Sequence, residues 1–211
     1  MSGTSDVQLQ LKKICELTNL CGKKLFRQKY PNTCILSSAA LIHVLTEEGY
    51  GAEPLRVQAA VFPAEFEGGS TRKTLQGCVL GSDGDGSRMA ASAPDMWRGH
   101  LVVLVRILVR SSSKLFLLDP TLDQVNSSQP HLLAEPVAVQ VSEEWLTAGK
   151  FLPTPNGPRL NVHRVATGST GAVVDYLAFP KRGGWKQAAD WRVSHWSPLA
   201  NRVSKKLRNT W

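Results

Sequence analysis

The chain has 211 residues, 42% hydrophobic and 20% charged. That suits one compact globular domain and supplies no run near the roughly 18 uninterrupted apolar residues of a membrane span. The net charge is +8, but residues 181–211 hold eight Lys and Arg against a single acid, Asp190, so arguments about anionic partners concern that segment and not the nearly neutral body. The opening MSGTSDVQLQLKK lacks the basic and apolar regions of a signal peptide, which makes a cytoplasmic location the expectation, and Cys15, Cys21, Cys34 and Cys78 form no CxxC pair that would support a disulfide framework or a zinc site.

In chain order, residues 5–27 read as an amphipathic helix, with Val7, Leu11, Ile14, Thr18, Cys21 and Leu25 on one face and Ser5 or Asp6 as N-cap. Cys15 and Cys21 fall within this pattern as small buried hydrophobes. Pro31 and Asn32 break the chain. Residues 34–48 then form a second helix, apolar on most sides and therefore buried, started by Asn32 or Thr33 and ended by Gly49. Beyond it the period shifts to that of strands, at 56–62, 75–80, 101–109, 114–118, 137–141, 159–165 and 173–179, with a short helix at 142–149. The stretch RSSSK joins the third and fourth strands as a hairpin loop, and 81–96 reads as a loop able to act as a flap. Helices first and strands afterwards argue an α+β fold, with N-terminal helices on an antiparallel sheet.

Three residues at element ends carry the chemistry. Cys34 opens the second helix, where a helix N-terminus favours a thiolate. His100 opens the strand at 101–109, and Asp119 closes its hairpin partner, so antiparallel pairing brings imidazole and carboxylate together. In that arrangement Cys34 attacks, His100 moves the proton and Asp119 fixes the tautomer of His100. The bland alternative is a packing cysteine, a satisfied histidine and an Asp-Pro turn.

The text CILSSAALIHVLTEEGYGA, then GHLVVLV, then LFLLDPT resembles the transglutaminase-like superfamily within the papain-like cysteine fold, over about residues 30–125. LDPT and the His100-to-Asp119 step are the most specific parts. The order is also similar to that of arylamine N-acetyltransferase cores, although PNT stands before Cys34 where those enzymes carry Arg-Gly-Gly. The resemblance implies a catalytic domain over 1–180 that acts on an amide- or thioester-bearing substrate through a covalent acyl-enzyme, as hydrolase, deamidase or acyltransferase, with no cofactor. An acyl-CoA-dependent transferase and an inactive interaction module are the alternatives. An oxyanion hole would add Gln28 or Asn32 to the Cys34 backbone N–H.

Other features carry less. Asp123 and Gln124 suit either a cleft wall or an Asx-type turn, the turn being favoured. DGDGS at 83–87 starts like a calcium loop but meets Pro94 where an acid is needed. The segment 181–211 holds Trp185, Trp191, Trp196 and Trp211 among its cations, a composition that binds nucleic acid or an acidic partner, or else anchors the segment on the domain. Pro198 is expected to interrupt any long helix there.

Overall fold

The computed structural model describes residues 4–26, 33–63, 77–81, 100–109, 112–146, 151–152, 159–160, 162–167, 171–179 and 193–209. Among them the chain is mixed α and β, with helices packed on one antiparallel sheet that curls almost into a barrel.

Helix α1 spans Thr4–Phe26, and its expected face is buried except for the half-buried Leu25. Because the helix begins at Thr4, Ser5 and Asp6 lie inside the first turn and do not cap it. There the Asp6 carboxylate suits the positive end of the helix dipole. Helix α2, Thr33–Glu47, is buried from Cys34 through Leu41 and again at Val44 and Leu45. Each Leu or Ile in that run contributes about 1.5–3 kcal/mol through burial. Gly49 ends the helix at φ +84: its N–H donates to the Thr46 carbonyl (3.1 Å) and that of Tyr50 to the Leu45 carbonyl (2.9 Å), a Schellman closure.

The sheet holds β1 (Gly51–Phe62), β2 (Cys78–Leu80), β3 (His100–Val109), β4 (Ser112–Asp119), β5 (Val137–Val141), β8 (Val162–Thr167) and β9 (Ala172–Ala178). Its order is β5-β4-β3-β1-β9-β8, and β2 also pairs with β1. β6 (Phe151–Leu152) and β7 (Arg159–Leu160) form a separate two-stranded pair, so the strand expected at 159–165 is split. β1 starts before Pro54 and not at residue 56. Along Gly51–Val57 it pairs with β3, and β9 joins its other side only from Val57 onward, so the missing Pro54 N–H falls on an open edge. The β3–β4 ladder runs out to Val109 opposite Ser112, so three residues of the expected RSSSK loop belong to the strand. The helix expected at 142–149 is a 3-10 turn, Glu143–Leu146.

The free edges of the sheet approach one another. Glu135 N–H, just before β5, donates to Thr167 Oγ1 at the end of β8 (3.4 Å). Trp145 Nε1 donates to the Tyr176 carbonyl on β9 (2.8 Å). Inside lies one apolar cluster, built from Leu55, Val57, Val102, Leu104, Leu117, Val174 and their neighbours. On the outer face Val103, Val105, Phe116 and Leu118 meet the helices.

The C-terminal segment contributes helix α3, Val193–Arg208. It carries Pro198 in its sixth position without breaking, contrary to the sequence expectation. Leu199, Ala200, Val203 and Leu207 are buried in the same core as α1 and α2, and that burial offsets the hydrogen bond a proline cannot donate. Trp196 packs against this core and tilts over the His43 ring, centroids 5.3 Å apart, so at this position the tryptophan anchors the segment. Trp185, Trp191 and Trp211 lie outside the described residues. No described helix is long and apolar enough to cross a membrane.

Candidate active site

β2 and β3 read as one interrupted strand alongside β1. Leu80 faces Ala59 and His100 faces Val57, so the ladder along β1 passes from β2 to β3 within two residues of β1. Residues 82–99, which hold nearly all of the expected flap, lie outside the described residues. Gly81 closes the break at φ +69, and a Cβ there would stand 2.4 Å from the His100 backbone nitrogen and 2.6 Å from the Val57 carbonyl oxygen. Only glycine fits that approach.

Period-2 alternation puts His100 on the same face as Val102 and Leu104, and Asp119 on that of Leu115 and Leu117, toward the barrel interior. One ladder step beyond the Val103–Leu118 pair sets Asp119 opposite Val102, which makes His100 its diagonal neighbour on that face. His100 Nε2 and Asp119 Oδ2 are 2.7 Å apart, and both residues are buried. The Asp119 carboxylate has further donors. Tyr176 Oη gives a hydrogen bond to Oδ2 (2.9 Å), and the Thr121 backbone N–H gives one to Oδ1 (3.0 Å), an Asx turn that bends the chain out of β4. Burial first, and then the Asp119 charge, push the Tyr176 phenol well above its usual 10, so it stays a donor.

Helix α2 brings Cys34 to the same ring. Its second residue places the thiol at the N-terminal turn, and Ser38 Oγ ties the helix to β3 through the Leu101 carbonyl (2.9 Å). Cys34 is buried, and its interaction with His100 helps to push that imidazole up. Asp119 holds Nε2, which leaves Nδ1 facing Gln124. Burial pulls the imidazole down, but the Asp119 charge, its hydrogen bond and the Cys34 interaction outweigh that and push His100 from 6.5 up to about 10. The shift favours the imidazolium. The three sequence-selected residues thus form one chain of contacts, Cys34 to His100 to Asp119.

A cleft of about 690 Å³ opens beside them between α1, the start of α2 and the 3-10 turn η1 (Leu122–Ser127). Its wall is mostly amide and hydroxyl, including Thr33, Ser37, Gln124 and Asn126, with the ion pair Lys23–Asp123 at one side. Asn19 Nδ2 donates to Asp123 Oδ1 (2.7 Å) and to the Pro120 carbonyl (2.6 Å), fastening η1 to α1. Asp123 and Gln124 are thus cleft residues. The Asx turn favoured for them belongs instead to Asp119. Gln124 Nε2 lies 3.4 Å from His100 Nδ1. Gln28 and Asn32 lie outside the described residues. Tyr176 and Asn19 were not singled out as functional by sequence reasoning, because each reaches the site over a long sequence separation that no local period encodes.

No family model matches this chain. No curated protein and no solved structure matches it either.

Proposed function

We propose that the protein is a thiol enzyme that acts on an amide or thioester through a Cys34–His100–Asp119 triad. The observation that carries this reading is the position of His100, bound on Nε2 by a buried carboxylate and raised to about 10 with help from its interaction with a cysteine at a helix N-terminus. An imidazolium so placed is the counter-ion that a nucleophilic sulfur uses.

The chemistry follows from the geometry. The Cys34 sulfur attacks the carbonyl carbon, the C–S bond forms and the carbonyl π pair moves onto oxygen. His100 Nδ1–H then gives its proton to the leaving nitrogen or sulfur as that bond breaks, which leaves a thioester on Cys34. Water or an acceptor amine, deprotonated by the now neutral His100, attacks the thioester carbon, the C–S bond breaks, and Cys34 leaves as a thiolate beside the reprotonated His100. Asp119 holds the ring and stabilises its charge without taking up the proton. Helices against a curled antiparallel sheet, with the nucleophile on a helix and the other two residues on a hairpin, are consistent with a transglutaminase-like core of the papain-like fold.

The amide and hydroxyl groups on the cleft wall can hydrogen-bond a substrate chain. The acyl-CoA alternative has less support, because the cation on that wall, Lys23, already pairs with Asp123. For an interaction module built on the C-terminal segment, the apolar face of α3 is already buried in the core, which leaves its cations as the remaining contact surface for an anionic partner.

Labelling with iodoacetamide near neutral pH tests the reading. Cys34 is expected to react faster than free cysteine, and His100→Ala to remove the advantage. Equal rates for the protein and free cysteine, unchanged in the variant, would sink it.

A further inference from the structure

Of the cleft-lining side chains, Gln124 is the one with a polar atom against the His100 ring. Nε2 of that ring is held by Asp119, so the Gln124 carboxamide stands at the other ring nitrogen, Nδ1, of the histidine with which Cys34 interacts. The placement is fixed by the turn after β4. Asp119 Oδ1 accepts from Thr121 N–H, and Gln124 N–H donates to the Thr121 carbonyl (3.0 Å), so carboxylate and carboxamide ride on one short rigid turn.

A carbonyl carbon bonded to the Cys34 sulfur, with its leaving group turned toward Nδ1, carries its oxygen two bonds from that leaving atom, within reach of a group that stands against Nδ1. The wall there is the Gln124 carboxamide. It is uncharged and carries two N–H donors. When Nδ1 is neutral it can accept one of them. When Nδ1 carries a proton, those N–H groups are released from the ring. The backbone N–H of Cys34, in the first turn of α2, has no partner within the helix and supplies a second donor.

We propose that Gln124 is a catalytic residue whose side-chain N–H donates to the oxyanion formed on the substrate carbonyl during attack by Cys34. This rests on the thiol-enzyme reading above, and it assigns the oxyanion hole to η1 in place of the linker amides Gln28 and Asn32.

Two reagents separate this role from a structural one. Acylation of Cys34 by p-nitrophenyl acetate passes through a tetrahedral oxyanion, whereas alkylation by iodoacetamide does not, and both need the same activated sulfur. With the full chain, Gln124→Ala and the similarly sized, uncharged Gln124→Met are expected to slow acylation about 10²-fold, the size of effect seen when one oxyanion donor is removed, and to leave alkylation unchanged. A parallel fall of both rates would assign Gln124 to holding His100 and overturn the proposal, as would acylation that does not change. A wild-type Cys34 that reacts with either reagent no faster than free cysteine overturns the underlying reading and this one with it. Alkylation of the variants at the wild-type rate also establishes that they fold.

Discussion

Cys15 on α1 and Cys34 on α2 are both buried, and both lie within a short chain of contacts from Asp119. Cys15 Sγ donates to the Val137 carbonyl (3.4 Å). Burial first, then the charges of Asp119, Glu16 and Asp123, raise its thiol well above 9.0, so it stays an inert, protonated filler. Cys34 sits instead at a helix N-terminus against an imidazolium, on the cationic side of the same carboxylate. Depth of burial does not separate the two thiols. The sign of the nearest charge does, and that sign is set by which end of the Asp119–His100 pair each helix delivers its cysteine to.

The comparison can be broken most severely at Asp119. Asp119→Ala removes the charge that keeps His100 protonated and leaves the ring N–H, Tyr176 Oη–H and Thr121 N–H without their buried acceptor, which is expected to lower stability by about 1–3 kcal/mol per donor in urea unfolding. A loss near zero would mean that the carboxylate does not hold the site together. Next, His100→Ala is expected to slow iodoacetamide labelling of Cys34 by about 10²-fold or more at pH 7, while Cys15 stays unlabelled in the folded protein. If the two cysteines label alike in wild type, as read by mass mapping, the distinction fails.

Two glycines sharpen the same contrast. Gly81 and Gly49 both have positive φ, yet a Cβ at Gly81 meets the His100 backbone and one at Gly49 meets nothing within 4 Å. Gly81→Ala should therefore cost about 1–3 kcal/mol and also slow Cys34 alkylation. Gly49→Ala should cost about 1 kcal/mol and leave the alkylation rate alone, as measured by thermal unfolding and labelling in parallel. Smallest is Tyr176→Phe, which removes one of the donors to Asp119 and is expected to cost about 1 kcal/mol.

Much of this was legible in the residues. The apolar period gave α1 and α2 their buried faces, the Val- and Leu-rich runs gave the β3–β4 hairpin, and antiparallel pairing then made His100 and Asp119 neighbours. The remainder depends on contacts between distant parts of the chain. Closure of the sheet rests on Glu135 with Thr167 and Trp145 with Tyr176, pairs that no local pattern announces. Pro54 obscured the start of β1 because its tolerance depends on which neighbour each side of the strand lacks. Pro198 misled for the parallel reason that burial of Leu199, Val203 and Leu207 outweighs a local helix breaker. Gln124 and Asp123 were read as turn formers because their chemistry becomes visible only once η1 folds back against His100 and α1.

The central claim is that His100 is held as an imidazolium between Asp119 and Cys34, and ¹⁵N NMR of its ring nitrogens across pH tests it most directly. The folded-state value is raised from 6.5 to about 10, so the pair's contribution to stability is fully present below about 6.5 and is lost as pH rises through about 10. Both ring nitrogens are expected to stay protonated at pH 7 and to titrate near 10, with unfolding stability falling over the same window. A ring that is neutral at pH 7 and titrates near 6.5 would contradict the account.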